Sequence, residues 1–247
     1  MFIEESEEAK AIKEFSRFAH EYNAYNVIQA EVAKRLVGKL PKKQYNCILD
    51  IGSGSGEIYK NISKNKINFD RFISLDSSVE MLGLHPVSPK IEKISADFNK
   101  FETFKQLDVS MDETLLLSSS ALQWSKNLDF VFAQLAKKSY NAYFAIFTAN
   151  TFKTLHKTAQ LKSPIYPPEV LKESLEKYYN ANFELKEYRL EFESVREMFH
   201  YIKKSGVSGG EKKLSYREIK ELMCKYPLAY LEFEVLFVEA ISLTKCK

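Results

Sequence analysis

Short apolar runs and segments with helical spacing alternate along most of the chain. An unbroken apolar run is typical of a parallel strand covered on both faces, whereas a 3.6-residue period is typical of a helix packed on such a sheet. The runs predict strands at residues 47–51, 71–76, 91–95, 114–118, 143–148, 183–191 and 231–243. Helical spacing predicts helices that include residues 128–138, 168–178, 194–204 and 216–224. This order predicts an α/β fold, in which a doubly wound, mostly parallel sheet of seven strands carries helical insertions after strands 5 and 6.

The chain begins with a long helical pattern. From residue 7 to Gly38, aromatic and aliphatic positions recur at helical intervals, and Gly38 and Pro41 end the pattern. Most of this apolar stripe is expected to pack against the core. No Pro-, Gly- or Ser-rich linker divides the sequence, so we expect one domain over residues 1–247. Its parts are an N-terminal helix (1–40), a core (45–150) and a C-terminal part (151–247).

Three glycines at alternate positions follow the first predicted strand. That strand contains Asp50 and leads directly into Gly52, Gly54 and Gly56. Glycine is needed where the backbone takes a positive φ, or where a ligand approaches too closely for a Cβ. The spacing differs from the Gly-x-Gly-x-x-Gly dinucleotide fingerprint and from the phosphate loop, which ends in Gly-Lys-Ser/Thr. The turn therefore predicts a nucleotide-type site that need not hold a pyrophosphate.

The next two strands are also followed by acids. Asp76 lies about 20 to 25 residues beyond the glycines, where α/β folds place an acid that binds a ribose. Ser77 and Met81 lie where the following helix begins, in a segment with serine capping and an early acid. Asp97 and Phe98 come directly after the third strand.

The fourth strand ends in a polar segment. Ser118 closes the strand, and Gln123 and Trp124, the single tryptophan of the chain, follow it. Polar groups at the carboxyl end of a central strand face the crevice in which open α/β sheets bind ligands. We therefore expect residues 118–124 to reach the same crevice as the glycine turn.

Composition and charge narrow the class of protein. The 247 residues are 45% hydrophobic with a formal net charge of +3, a balance too even to indicate nucleic-acid binding. Three cysteines without CxxC spacing suit reduced cytosolic thiols, and the histidines have no ligand-like spacing, so no metal is expected. The acidic N-terminus has no apolar core, and no apolar run approaches the ~20 residues that a membrane helix needs. A soluble, cytoplasmic protein is expected.

The glycine turn and the strand-end acids resemble motifs of the class I S-adenosylmethionine-dependent methyltransferases. Cys-Ile-Leu-Asp-Ile-Gly-Ser-Gly-Ser-Gly is similar to the first motif, (V/I/L)-(L/V)-(D/E)-x-G-x-G-x-G, and Leu-Asp-Ser-Ser-x-x-Met to (V/L)-D-x-S-x-x-M. The resemblance implies a Rossmann-like sheet with an antiparallel last strand and S-adenosyl-L-methionine as cofactor. It also implies that Asp76 receives the ribose hydroxyls and that Asp97 binds the adenine amino group. The implied cofactor-binding residues are Asp50, Gly52, Gly54, Gly56, Asp76, Ser77, Met81, Asp97, Phe98 and Ser118.

Further blocks are similar to the malonyl-acyl-carrier-protein O-methyltransferases of biotin synthesis and span nearly the whole chain. They are Phe-Ser-Arg-Phe-Ala-x-x-Tyr with Gln29, Ser-x-x-Ala-Leu-Gln-Trp-x-x-Asn-Leu, Phe-Thr followed by Leu155 and His156, a helix ending in x-Gly-Val-Ser-Gly-Gly, and Tyr-Pro-Leu-x-Tyr-x-x-Phe-x-Val-Leu. Two places depart from that family. Ser119 stands where it commonly has Asn, and residues 208–210 replace a more usual Ala/Thr-Thr/Asn stretch, so its substrate contacts are not carried over to them.

The second resemblance implies methyl transfer to the free carboxylate of malonyl-acyl-carrier protein, giving the methyl ester that primes biotin synthesis. A carboxylate is already ionised near pH 7, so no general base is required and no catalytic dyad is expected. The enzyme has to desolvate the carboxylate and align it with the methyl group. The residues implied to shape this pocket are Tyr22, on an N-terminal lid helix, and Gln123, Trp124 and His156.

The implied partner is an acidic acyl-carrier protein that bears a malonyl thioester. Basic residues of the C-terminal part could form its docking face, and an ordinary solvated surface explains them equally well. They are Lys153, Lys157, Lys162, Lys203, Lys204, Lys212, Lys213 and Arg217.

Two other functions compete with this interpretation. A methyltransferase acting on a small carboxylate of the trans-aconitate type, or on an amine or phenol, would use the same cofactor motifs. A degenerate methyltransferase fold could instead serve as a binding subunit. The intact set of turn glycines and strand-end acids disfavours the degenerate fold.

Overall fold

The computed structural model describes residues 26–204 and 215–244. Tyr22, with the predicted lid up to residue 25, lies outside the described residues, as does the glycine-containing segment 206–210. The remaining part of the predicted N-terminal helix, Val27–Gly38, is helical and ends at Gly38 as expected.

Strands and helices alternate through the described residues. The strands are β1 (Tyr45–Ile51), β2 (Phe69–Asp76), β3 (Ile91–Ser95), β4 (Thr114–Ser119), β5 (Asn141–Phe147), β6 (Tyr179–Glu191) and β7 (Tyr230–Ser242). The helices are α1 (Val27–Gly38), α2 (Glu57–Lys64), α3 (Val79–Leu84), α4 (Phe101–Gln106), α5 (Leu128–Leu135), α6 (Lys153–Ala159), α7 (Pro168–Glu176), α8 (Val195–Lys204) and α9 (Tyr216–Lys225). All seven predicted strands are present, with ends that differ by a few residues.

The strands form one seven-stranded sheet in the order β3-β2-β1-β4-β5-β7-β6. Strands β1 to β5 pair in parallel, and β7 pairs antiparallel with both β5 and β6. The strand order reverses between β1 and β4, so their carboxyl ends border the crevice in which such sheets bind ligands. The predicted doubly wound sheet with an antiparallel last strand is confirmed.

Two hydrophobic clusters cover the two faces of the sheet. Along β4, Leu115 and Leu117 belong to one cluster and Leu116 to the other, as the two-residue period of a strand requires. Helices α1, α2 and α8 contribute to the first cluster, and α4, α5 and α7 to the second. Both faces are therefore covered, which explains why the central strands are apolar almost throughout.

Helix α1 lies across several strands and forms one wall of the crevice. Its buried side chains include Val32 and Leu36, both fully inaccessible to solvent. At its C-terminal end, Arg35 and Lys39 both pair with Glu184 of β6. This contact links the C-terminal end of α1 to the far edge of the sheet.

Two elements near the crevice were not anticipated from the sequence. Helix α4 has only six residues, and a short 3₁₀ turn covers Leu122–Trp124 directly after β4. Such short segments do not contain enough residues for a hydrophobic period to be recognised. The 3₁₀ turn is important because it carries Gln123 and Trp124.

Candidate functional site

A cleft opens at the carboxyl ends of β1, β2 and β4. It contains about 900 Å³ of empty space, counted out to its open mouth. Helices α1, α2 and α3 complete its walls. The lining residues are Gln29, Ala33, Asp50, Gly52, Ser53, Gly54, Ser55, Glu57, Ile58, Asp76, Ser77, Ser78, Met81, Phe98, Ser119, Ser120, Ala121 and Trp124.

The outer two glycines of the turn are required by packing. Gly52 has φ of +69°, and a Cβ there would lie 2.1 Å from the Cβ of Ala121. Gly56 has φ of +83°, and a Cβ there would lie 2.7 Å from Cδ2 of His85 and 2.8 Å from Cδ of Pro86. Both positions therefore combine a left-handed backbone with a neighbour that leaves no room for a side chain.

Gly54 differs from the other two glycines. Its φ is +51°, but the nearest atom to a Cβ would be the flexible Met81 Cε at 3.4 Å. Gly54 lines the cleft, and its N–H donates to Asp76 Oδ2 over 2.8 Å. The middle of the turn is thus where backbone and an incoming ligand would come closest.

Asp76 joins the glycine turn to the start of α3. In addition to the Gly54 bond, its Oδ1 accepts the N–H of Ser78 at 2.8 Å. Burial raises the pKa of Asp76, and the N–H bonds from Ser78, Gly54 and Ser77 oppose that rise. Because each carboxylate oxygen can accept more than one hydrogen bond, Asp76 retains acceptor capacity toward the cleft.

Asp50 lies deeper in the same cleft and has a different environment. It is 1% exposed, and neither carboxylate oxygen has a hydrogen-bond partner among the described residues. Burial raises its pKa well above the usual range, and the nearby Asp76 adds to the rise. A buried acceptor pair without partners is costly, so Asp50 is expected to find its partner in a ligand.

The end of β4 presents serines to the cleft, although not the predicted one. The Ser118 hydroxyl is buried and donates to the Ile51 carbonyl at 2.7 Å, while Ser119 and Ser120 line the cleft. Ser120 has φ of +61°, an uncommon backbone conformation for serine. Gln123 donates from Nε2 to the Ser120 carbonyl at 2.7 Å. Gln123 therefore supports the strained residue and does not itself line the cleft.

Apolar side chains form the remaining wall. Met81, Phe98 and Trp124 line the cleft, and the Trp124 Nε1 is buried without a partner in the described part of the chain. Asp97 lies beside this wall but not in the lining, and its Oδ1 accepts the Asn99 N–H at 2.8 Å. The structure thus brings Phe98 to the cleft and leaves Asp97 at its margin.

His156 lies away from the cleft. It is on α6, its ring makes an edge contact with Phe152 at 6.5 Å between centroids, and its Nδ1 is buried without a partner among the described residues. Burial lowers the pKa of this imidazole. Of the four residues implied for the substrate pocket, Trp124 alone lines the cleft in the part of the chain that the structure describes.

Several lining residues were missed as site residues by sequence reasoning. Ser53 and Ser55 lie between the three glycines, and their buried hydroxyls have no partner in the ranges described. Glu57 begins α2, and Gln29 reaches the cleft from α1. The position of Ser53 and Ser55 between the turn glycines could have identified them, because Gly52 and Gly54 also line the cleft. The position of Glu57 depends on the orientation of α2, which the spacing of residues in the sequence does not give.

The buried ring of His85 packs against the end of the glycine turn. Nδ1 of His85 lies 3.1 Å from the Pro86 carbonyl, and Nε2 lies 2.8 Å from the hydroxyl of Ser74. A carbonyl only accepts, so Nδ1 donates and Nε2 accepts from the hydroxyl, which is the pattern of a neutral ring. Burial lowers the pKa of His85, and the ammonium groups of Lys93 and Lys60 act in the same direction.

Within residues 26–204 and 215–244, no three His, Cys, Asp or Glu side chains are grouped so that they could hold a metal ion. Over the same residues, no helix combines the length and apolar character needed to cross a membrane.

Solved structures define the class of fold. A chain in the complex between the Haloferax volcanii Trm112 methyltransferase activator and a methyltransferase aligns with a TM-score of 0.62 at 13% identity, covering 95% of this chain and 99% of its own length. Phosphoethanolamine N-methyltransferase 2 of Haemonchus contortus, solved with S-adenosyl-L-methionine, aligns with a TM-score of 0.52 at 14% identity, over 86% of this chain and 51% of its own. The protein has the Rossmann-like fold of the class I S-adenosylmethionine-dependent methyltransferases.

The curated proteins that are similar in sequence share one enzyme name. The malonyl-[acyl-carrier protein] O-methyltransferase of Hamiltonella defensa is 30% identical over 163 residues, 64% of this chain and 59% of the relative. The enzyme of the same name from Acetivibrio thermocellus is 29% identical over 230 residues, 80% of this chain and 78% of the relative. With four of the curated relatives that it matches, the chain spans only 41% to 59% of their length. No protein-family model matches the sequence.

The packing of Gly52 predicts a large effect of one methyl group. Gly52→Ala is expected to destabilise the fold by about 2 kcal/mol or more, because it adds an overlap with Ala121 to an unfavourable φ. Gly38→Ala is the matched control, since nothing lies within 4 Å of a Cβ there. Urea unfolding of both variants measures the difference. Equal stabilities would show that the turn relaxes without cost.

His85 predicts a pH dependence of stability. Its folded pKa is lowered, so its contribution is fully present above the unfolded pKa of about 6.5 and is lost as the pH falls through that value toward the folded pKa. Histidine proton NMR should give a folded pKa below 6.5 for His85. The free energy of unfolding should decrease between about pH 7 and pH 5, and less so in His85→Asn. A folded pKa at or above the ordinary value would contradict this account.

Proposed function

We propose that this protein is an S-adenosylmethionine-dependent methyltransferase whose cofactor binds in the cleft at the carboxyl ends of β1, β2 and β4. The observation that carries the proposal is the Asp50 carboxylate, buried in the cleft wall without a partner among the described residues. Asp50, Glu57 and Asp76 line the cleft, and its described lining contains no lysine, arginine or histidine. Such a site favours a cationic ligand, and S-adenosylmethionine carries both a sulfonium and an ammonium group.

The residues of the cleft fit the parts of this cofactor. Asp76 retains acceptor capacity that two ribose hydroxyls would use, while Gly54 leaves room for close approach. Phe98 and Met81 offer apolar surface for the adenine ring. When bound, the cofactor supplies an electrophilic methyl group. The part of the chain described here contributes binding, orientation and exclusion of water.

The proposed methyl acceptor is the free carboxylate of malonyl-acyl-carrier protein. Support comes from the shared name of the five curated relatives and from sequence blocks that extend beyond the cofactor motifs. A malonyl carboxylate is ionised at neutral pH, so the reaction needs no base from the protein. Ser119, Ser120 and Trp124 provide hydroxyl and indole donors at the cleft for orienting such an oxygen-rich group. Tyr22 is proposed to close over it from the N-terminal segment.

The carrier protein is proposed to approach from the side of α6. Lys157 is exposed on α6 and Lys162 on the loop that follows it, whereas Lys153 lies 3.5 Å from Glu187 and 3.9 Å from Glu232. Exposed lysines are available to an acidic partner at little desolvation cost, whereas a paired lysine offers less. The structure does not describe Lys212 and Lys213, nor the side chains of Lys203 and Lys204.

Cofactor binding is tested at Asp76. Asp76→Ala should weaken S-adenosylmethionine binding by roughly 1–3 kcal/mol, because it removes the acceptor for the ribose and leaves the Gly54 and Ser78 N–H groups unpaired. Asp70→Ala, at an exposed position of β2, is the control. Calorimetric titration gives both affinities. If Asp76→Ala binds as tightly as the control, the ribose assignment is wrong.

Substrate choice is tested with the intact protein. Incubation with malonyl-acyl-carrier protein and S-adenosylmethionine should add one methyl group to the carrier, seen by intact-mass analysis. Acetyl-acyl-carrier protein, which lacks the free carboxylate, is the matched control and should stay unchanged. Methylation of small dicarboxylic acids with the carrier left unmodified would instead support the trans-aconitate type of enzyme.

A further inference from the structure

We propose that Asp50 carries a proton in the ligand-free protein and releases it when the cationic cofactor binds, so that cofactor binding is coupled to proton release. The inference rests on the proposed function, in that it takes S-adenosylmethionine as the ligand of this cleft. It concerns a property of Asp50 itself, which the protein displays without turnover.

The argument starts from the isolation of the Asp50 side chain. Both carboxylate oxygens are inaccessible to solvent and lack a hydrogen-bond partner in the described residues, and the residue is 1% exposed. An ionised carboxylate loses its hydration on burial, and only a counter-ion or several donors can replace it. The neutral acid has no such requirement. Without a bound cation the protonated form is therefore favoured, in agreement with the raised pKa.

None of the charged groups around Asp50 supplies a counter-ion in the described structure. Asp76 from β2 acts on Asp50 as a like charge. Glu57 from α2 also lines the cleft, but the Lys60 ammonium pairs with it at 2.7 Å. The His85 ring is neutral, and its Nε2 lies 2.8 Å from the Ser74 hydroxyl. Burial and the like charge of Asp76 therefore both favour the protonated form of Asp50.

The uncharged neighbours do not compensate either. On α1, Gln29 lines the cleft with a buried Oε1 that is itself an acceptor without a partner in this part of the chain. On β4, the Ser118 hydroxyl is already donated to the Ile51 carbonyl. The hydroxyls of Ser53 and Ser55 and the Nε1–H of Trp124, which also lack partners in this part of the chain, do not reach the Asp50 carboxylate. A cationic ligand would supply the partner that Asp50 lacks.

Asp50 and Asp76 differ in a way that assigns the proton to Asp50. Asp76 accepts N–H bonds from Gly54 and Ser78, which stabilise its charged form, whereas Asp50 accepts none from the described residues. When a cation enters, the O–H bond of Asp50 breaks, the proton passes to the solvent buffer, and the carboxylate balances the new charge. Below the pKa of the free protein, affinity should then rise up to ~tenfold per pH unit.

Isothermal titration calorimetry tests the coupling directly. S-adenosylmethionine is titrated into the intact protein between about pH 5.5 and pH 8.5, in buffer pairs that differ in ionisation enthalpy. The slope of the observed enthalpy against buffer ionisation enthalpy gives the number of protons released. The wild-type protein should release a substantial fraction of one proton in part of this range, and its affinity should rise with pH over the same interval.

Matched variants assign the proton. Asp50→Asn keeps the shape of the side chain and should abolish both the proton release and the associated rise in affinity. Asp76→Asn should still release the proton despite weaker binding, and Asp70→Asn, at an exposed position, should behave as wild type. Titration with S-adenosylhomocysteine separates the two cationic groups, because this ligand keeps the ammonium and lacks the sulfonium. Proton release with both ligands would assign the effect to the ammonium.

A spectroscopic measurement covers the case in which Asp50→Asn does not fold. Infrared difference spectra of the wild-type protein should show the carbonyl band of a protonated carboxyl in the free state and its loss on ligand binding. Saturable binding without proton release and without this band overturns the inference and leaves the proposed function intact. Absence of any saturable binding to the folded wild-type protein overturns the proposed function as well.

Discussion

The hydrogen bond from the Gly54 N–H to the carboxylate of Asp76 is the interaction on which the cleft depends. It joins the turn after β1 to the end of β2, and the Ser78 N–H on the other oxygen joins both to α3. Two more bonds, from the N–H groups of Gly52 and Ser53 to the Leu75 carbonyl, hold the same turn against the same strand. Three consecutive segments are thus fixed by backbone donors and two acceptor groups, which leaves the side chains free to face a ligand.

The two acids at the ends of β1 and β2 differ in their hydrogen bonds. Asp76 is held by donors of the protein, and Asp50 is held by none of those described, although both lie in one cleft. The hydrogen bonds therefore distinguish two acids that the sequence shows only as two similar strand ends. Gln123 shows the reverse case, in which a residue expected to meet substrate supports the backbone of Ser120.

The sequence predicted the sheet well because its central strands are buried on both faces. The runs around Ile48 and Leu116 are apolar for that reason. The turn can be recognised because its positive φ angles require glycines. What could not be predicted depends on contacts between distant segments. The roles of Gly52 and Gly56 follow from Ala121 and His85, which lie far away in the chain. Ser118 and Ser119 are adjacent, and only the strand's orientation decides which one enters the cleft.

The position of β7 has a consequence for how the protein is made. Strand β6 is an edge strand whose neighbour in the sheet is β7, and β7 also closes the sheet against β5. During synthesis, β1 to β5 leave the ribosome before β6 and β7, and β6 emerges before the strand that separates it from β5 in the sheet. Until β7 has left the ribosome, the edges of β5 and β6 that it joins lack their partner, and unpaired strand edges favour misassembly.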